Sequence, residues 1–280
     1  MTSYLRPRDL DEAVVARAAY PNWMMLAGGT DLMVNANHKP IPVGILDLWR
    51  LGEIGFIRVE DGAIAIGAGT TWHEVERHPA VRDKLLPLAL AAREIGALQI
   101  QSRGTVGGNI GTSSPVGDSL PVLLALDATI EVASVRGRRS IPYSTFCTGY
   151  RKTLLATDEL IVAAHIPLPV AGMRTTWRKV GTRRAQSISK VMGAAAITLD
   201  GDTVVSARVA LGAVADRPIR ITAVEDAVRG LSLARAVEAA RAAVRTAIQP
   251  IDDIRSTSVY RREVAENLVA RFFTPAVGVS

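Results

Sequence analysis

The chain has 280 residues, 48% hydrophobic and 21% charged, which suits one large globular domain or two modest ones able to bury a core without staples. Its formal charge of +6 comes from scattered arginines rather than a lysine-rich tract, and only 5% of residues are aromatic. A nucleic-acid interface therefore fits poorly, and anionic cofactors or acidic partner surfaces fit better.

Residues 9–19 set Asp9, Asp11 and Glu12 ahead of an apolar stripe, which predicts a short helix whose acids suit its N-terminal end. Tyr20-Pro21-Asn22 ends it. Residues 23–27 form a short apolar strand stopped by Gly28-Gly29-Thr30-Asp31. A second helix is expected from Asp31 toward Asn37, and residues 44–48 are the next buried strand, so the opening of the chain predicts a βαβ unit. Two strands over 56–60 and 63–67 then flank Asp61-Gly62, a dipeptide that accepts the positive φ angles of a tight hairpin. Thr71 is placed to cap a helix beginning at Trp72, with Glu74 near its start, and a longer helix follows over 87–95.

Residues 104–121 are rich in Gly, Ser, Thr and Pro and read as a long loop between helical patterns. Residues 120–127 are helical, and 129–135, 139–142 and 160–166 are strands. Pro167-Leu168-Pro169 with Ala171-Gly172 is the candidate linker. Beyond it, residues 175–180, 193–199 and 203–211 alternate as an antiparallel sheet does, with Asp200-Gly201-Asp202 as a turn. Helices over 223–230, 232–248 and 259–273 close the chain. The class is α+β, with a boundary near residue 170. No apolar run of about 18 residues occurs, and the N-terminus lacks the apolar segment of a signal peptide. A membrane span is therefore not expected, and the cytoplasm is the default compartment.

Two segments stand out chemically. Leu26-Ala27-Gly28-Gly29-Thr30-Asp31-Leu32 sits at a strand-to-helix turn, where glycines let backbone approach a ligand and N–H groups suit a phosphate. It is neither a Gly-x-Gly-x-x-Gly fingerprint nor a P-loop, and a plain tight turn is the competing reading. Residues 104–119 hold five glycines and five hydroxyl residues in sixteen positions, anchored at both ends in apolar structure. A loop of that length inside a domain has a task or is mobile. One ligand lying between the two segments, a diphosphate flanked by two ring systems, would account for both.

At these segments the chain resembles the flavoprotein subunits of the xanthine dehydrogenase and carbon monoxide dehydrogenase family of molybdenum hydroxylases. The stretches that carry the likeness are residues 26–32, Gly104-Thr105-Val106-Gly107-Gly108-Asn109-Ile110 and Ser114-Pro115-Val116-Gly117-Asp118-Ser119-Leu120-Pro121. Phe146-Cys147-Thr148-Gly149-Tyr150-Arg151-Lys152-Thr153 is close to the xanthine dehydrogenase branch, and Arg178-Lys179-Val180-Gly181 opens the C-terminal part. The resemblance implies a two-subdomain FAD-binding domain over residues 1–170, divided about 1–53 and 54–170. A small antiparallel-sheet-plus-helices domain over 171–280 follows.

Carried onto matching positions, Met25, Leu26, Ala27, Gly28, Gly29, Thr30, Asp31 and Leu32 would wrap the FAD pyrophosphate with backbone N–H groups. Thr105, Gly107, Gly108 and Asn109 would complete the cradle. Asp118 would hold ribitol or ribose hydroxyls, Ile161 would lie near the adenine, and Ile95 matches a weaker position. Lys179 would reach the cofactor from the C-terminal domain, with residues 184–188 near the isoalloxazine ring. Ala185-Gln186-Ser187 departs from the acidic residues of mammalian xanthine dehydrogenases, which bears on how electrons divide between NAD and oxygen.

The family also implies partners: a small subunit with two [2Fe–2S] clusters and a large molybdopterin subunit, as a dimer of heterotrimers, with NAD or another acceptor receiving the electrons. The single Cys147 agrees with clusters held elsewhere, since a cluster usually takes four thiolates. No side chain here need act as nucleophile or general base, and the four histidines lack metal-ligand spacing. Two other classes stay open. A free-standing flavin oxidase would be bleached by its own substrate, and a nucleotide-binding module without redox function would stay colourless with FAD. Within the family, a carbon monoxide dehydrogenase-like subunit would deliver to a quinone or cytochrome.

Overall fold

Three stacked apolar layers organise the chain, whose residues 2–34, 36–183 and 186–274 are described by a computed structural model. The first layer holds β1 (Ser3–Leu5), α1 (Leu10–Ala19), β2 (Met24–Leu26) and β3 (Gly44–Asp47), with the strands parallel in the order β1-β3-β2. Asp9 caps α1 by accepting from the Glu12 N–H, as the acidic start suggested.

The helix expected from Asp31 toward Asn37 does not form. The described residues there make isolated turns and a single 3-10 turn at Ala36–His38; Asn35 lies outside the described residues. The run between Gly29 and Pro40 is too short to repay helix nucleation, and β-branched Val34 and Asn37 favour other conformations.

The second layer is a five-stranded antiparallel sheet, order β4-β5-β10-β6-β7, made of β4 (Ile57–Glu60), β5 (Ala63–Gly67), β6 (Thr129–Ser134), β7 (Gly137–Pro142) and β10 (Leu160–Pro167). Between β5 and β6 run α2 (Trp72–Arg77), α3 (Pro79–Lys84), α4 (Leu86–Glu94), α5 (Leu98–Gln101), α6 (Val106–Thr112) and α7 (Leu120–Ala125). After β7 come α8 (Tyr143–Phe146) and a two-stranded hairpin, β8 (Cys147–Gly149) with β9 (Lys152–Thr153). Thr71 and Glu74 form a reciprocal capping box at α2.

Central β10 is apolar on both faces. Leu160 and Val162 pack with Leu10, Ala13 and Val14 of α1, whereas Ala164 and Ile166 face the core under α2, α4 and α7. A bulge between Ile161 and Ala163 resets that alternation.

The third layer is the antiparallel sheet β11 (Met173–Val180), β12 (Val191–Asp200), β13 (Thr203–Gly212) and β14 (Ile219–Arg220), with α9 (Thr222–Val228), α10 (Leu233–Ala247) and α11 (Ser258–Phe273) on one face. Its other face does not stop at the linker. Trp177, Ala194, Ala196 and Ala210 belong to the same core as Leu120, Leu123 and Ile130 of the second layer.

The β6–β7 hairpin is fastened to the start of β10 by Arg139, whose Nε and Nη2 donate to the two oxygens of Glu159 at 2.6 and 2.8 Å. Those bonds hold the buried Glu159 carboxyl below the usual carboxylate range. A depressed carboxyl contributes stability above its unfolded value, about pH 4.3, and loses it as the pH falls through the lower folded value. The urea midpoint is thus expected to hold between pH 6 and 8 on this account and to drop below about pH 4.5. Glu159→Gln should lower the neutral-pH midpoint and flatten part of the acid slope, read by urea titrations across pH.

Candidate functional site

The two glycine-bearing segments meet. Gly28 lies so close to the Arg103–Gly104 backbone that a Cβ on it would sit 1.7 Å from the Arg103 carbonyl oxygen. Gly28 is therefore required by packing between the segments. Gly29 adopts φ +78°, a left-handed conformation natural to glycine, and turns the chain out of β2. The Arg103 side chain strengthens the junction: its guanidinium lies over the Trp49 ring at 3.9 Å, and its Nε donates to the Gly28 carbonyl at 3.4 Å.

A cavity of about 1040 Å³ opens beside this junction. That is the upper end of the roughly 300–1,000 Å³ typical of cofactor and ligand sites. Of the residues singled out from the sequence, Met25, Ala27, Gly28, Gly29, Thr30, Asp31, Leu32, Thr105, Gly107, Gly108, Asn109 and Ile161 line it. Leu26 does not. Its side chain packs beside Gly29. Tyr150, Arg151, Thr112 and Ala213 also line the cavity, and they were not assigned there.

The two segments differ in what they offer. Residues 104–119 are not one loop, because Thr105 caps α6 by accepting from the Gly108 N–H. Gly107 N–H donates to Ala68 O at 2.8 Å, and Asn109 N–H to Thr105 O at 3.0 Å, so these donors are already engaged. The Asn109 side-chain oxygen accepts from Ser119 Oγ at 2.7 Å. By contrast, none of the N–H groups of Gly28, Gly29, Thr30, Asp31 or Leu32 donates to a protein acceptor among the described residues. A run of unsatisfied backbone donors beside a cavity is the arrangement that takes an anion. The first segment thus fits the pyrophosphate of a dinucleotide, and the second supplies a wall that its glycines keep thin.

Asp118 and Lys179 sit elsewhere. Lys179 Nζ donates to Asp118 Oδ2 at 2.6 Å and to Glu94 O at 3.1 Å, and Ser189 Oγ donates to Asp118 Oδ1. Both side chains are nearly inaccessible, 4% exposed for Lys179 and 9% for Asp118. Burial pushes the Asp118 carboxyl upward, and Lys179 and Ser189 pull it back. Trp177 Nε1 donates to the Asp118 carbonyl at 2.9 Å, so three residues of the third layer converge on one of the second. Asp118 borders a smaller hollow of about 350 Å³ that shares Ile95, Ile100, Asn109, Val116, Gly117 and Ile188 with the large cavity. Of residues 184–188, Gln186, Ser187 and Ile188 line this hollow, whereas Arg184 and Ala185 lie outside the described residues.

Residues 1–169 match the family described as the FAD binding domain in molybdopterin dehydrogenase, and residues 177–276 match the CO dehydrogenase flavoprotein C-terminal domain. The chain belongs to this family. It carries an FAD-binding domain and a flavoprotein C-terminal domain, in the α+β architecture of the carbon monoxide dehydrogenase medium chain. The glyceraldehyde dehydrogenase medium chain of Sulfolobus acidocaldarius is 34% identical over 273 residues, 97% of this chain and 96% of that one. The nicotinate dehydrogenase FAD-subunit of Eubacterium barkeri is 30% identical over 278 residues, 96% of this chain and 94% of that one. Among solved structures, carbon monoxide dehydrogenase from Hydrogenophaga pseudoflava lacking the Mo-pyranopterin moiety superposes with a TM-score of 0.92 at 30% identity, covering 96% of this chain and 95% of that one. The chain is thus an FAD-binding subunit of the molybdenum hydroxylase family, an oxidoreductase component. No helix among the described residues is long and apolar enough to cross a membrane.

Proposed function

We propose that this chain holds FAD in the large cavity and links [2Fe–2S] clusters of a small partner to NAD or another acceptor. In this reading a large partner carries molybdopterin and the substrate site, and the assembly is a cytoplasmic dimer of heterotrimers. The single observation that carries the proposal is the row of unsatisfied N–H groups from Gly28 to Leu32 beside a cavity of dinucleotide size.

Bound FAD would supply exchange between one-electron clusters and a two-electron acceptor. The protein's part is placement. Backbone N–H groups of residues 28–32 would donate to the pyrophosphate, and Thr105, Gly107, Gly108 and Asn109 would form the opposing wall. Ile161, flanking the cavity near Leu155 and Leu160, would pack against an adenine. Asp118 and Lys179 would act by fixing the third layer, and with it Ser187 and Ile188, against the ring end of the cleft. The division near residue 170 belongs to the same reading, supported by the short Pro167-Leu168-Pro169 passage between β10 and β11.

The run Gly149-Tyr150-Arg151-Lys152-Thr153 supports NAD as the acceptor, because Tyr150 lines the cavity with an exposed aromatic face and basic Lys152 follows it. The purified chain is expected to show flavin absorbance at about one FAD per polypeptide. Under anaerobic conditions it should bleach with NADH but not with candidate substrates, until co-expressed molybdopterin and iron–sulfur chains are present. A colourless chain even after FAD addition would reject the proposal. Substrate-driven bleaching of the lone chain would replace it with an oxidase.

A further inference from the structure

We propose that the ion pair between Asp31 and Arg151 is a clasp across the cofactor cleft that governs how fast the dinucleotide leaves. This rests on the cleft being the FAD site. Arg151 Nη2 and Nη1 donate to Asp31 Oδ1 and Oδ2 at 2.8 and 3.2 Å, a two-pronged contact between residues 120 apart in sequence. Asp31 belongs to the anion-binding segment after β2, and Arg151 to the tip of the β8–β9 hairpin. Both line the cavity, and both side chains are nearly half exposed, at 43% and 42%. The pair therefore lies where the cavity reaches solvent.

The two sides of the segment are held very differently. Near Gly28 the contact is backbone against backbone, reinforced by Arg103 on Trp49, and cannot part without moving both segments. Among the described residues, the ion pair with Arg151 is the only side-chain tie at Asp31, and its separation uncovers no core. Arg151 also adopts φ +53°, a left-handed conformation that non-glycine residues occupy at a cost, and this sets its side chain at the hairpin tip.

Charge gives the second reason. An uncompensated Asp31 carboxylate would stand within the very run of N–H donors that suits a diphosphate, and would repel it. Arg151 neutralises that carboxylate, so the clasp both closes the opening and makes the segment acceptable to an anion. An exposed pair adds little to folding and is screened by salt, which marks it as a movable part rather than a staple.

The test is FAD release from the full chain, followed by flavin fluorescence after mixing with excess FAD-scavenging apoprotein. Wild-type release should quicken between about 0.05 M and about 0.5 M NaCl. Arg151→Met should release FAD roughly two- to five-fold faster at low salt and lose most of the salt dependence. The charge-reversed double variant Asp31→Arg with Arg151→Asp should return toward the wild-type rate, although Arg151→Asp alone is fast. Urea midpoints of the FAD-free proteins should coincide, which separates a clasp from a structural tie. Arg151→Met releasing FAD at the wild-type rate and with the same salt response would overturn the clasp alone. A wild-type chain that takes up no FAD would overturn the reading of the cleft as well.

Discussion

Gly28→Ala should yield a chain that folds less stably and has lost most of its affinity for FAD. The added methyl meets the Arg103 carbonyl oxygen at 1.7 Å and its carbon at 2.5 Å, and both are backbone atoms that cannot swing aside. The segments must part, at a cost of about 1–3 kcal/mol for overpacking. Parting them displaces the N–H groups of residues 28–32 from one another's alignment on the anion. Charge-assisted hydrogen bonds are worth about 1.5–3 kcal/mol each, so losing one weakens binding by roughly ten- to 150-fold. The ratio of flavin to protein absorbance and a fluorescence titration read this directly. Gly62→Ala is the control. That residue also needs positive φ, at +75°, but nothing lies within 4 Å of its added methyl, so it should lose a little stability and no cofactor. Stoichiometric FAD with unchanged affinity in Gly28→Ala would show that the junction does not shape the site.

Lys179→Met is expected to be strongly destabilising. It leaves Asp118 buried with only Ser189 and a backbone environment, and stranding one member of a buried pair costs about 3–5 kcal/mol. The urea midpoint at pH 7.5 should fall accordingly. Adding Asp118→Asn to the same chain should recover much of the loss, because no unpaired charge then remains. The pH dependence has a definite sign. Burial already pushes Asp118 upward, and without Lys179 it rises further. The folded state then holds a proton that the unfolded carboxyl, near pH 3.9, has released, so stability falls as pH rises through the folded value. Lys179→Met should consequently be less damaged relative to wild type at pH 5 than at pH 8. An equal deficit at both would mean that the lost packing, not the stranded charge, carries the effect.

Features set by neighbouring residues were legible in the sequence. Asp61-Gly62 placed the β4–β5 hairpin, Thr71 with Glu74 placed the start of α2, and Asp200-Gly201-Asp202 placed the turn from β12 to β13. Features that depend on distant partners were not. Helix α6 hides in a segment whose glycines argue for a loop, and its start is fixed by Thr105 and by the Val106 N–H reaching Thr70. The helix expected after Asp31 failed for a local reason, since the run before Pro40 is too short to repay nucleation. At the candidate site, the glycines marked segments that meet beside the large cavity, but not how their backbone groups are engaged. Gly107 and Gly108 looked like donors, yet their N–H groups are spent on Ala68 and Thr105. Asp118 looked like a hydroxyl acceptor, and only tertiary contacts show it committed to Lys179 and Ser189. Arg151 was visible as part of a basic run, but its partner lies 120 residues away.

The core that runs from β6 through α7 to Trp177, Ala194 and Ala210 has a consequence for the order of events during synthesis. The segments that border the large cavity emerge from the ribosome early, whereas the apolar sides of α4 and α7 gain their cover only as β11, β12 and β13 are made. A chain released after β10 would leave Leu120, Leu123 and the face opposite Trp177 bare, and should be captured by chaperones or aggregate rather than persist as an independent flavin-binding unit. Cofactor loading is therefore expected to follow completion of the whole chain, and nascent chains halted before residue 200 should show no protection of FAD fluorescence.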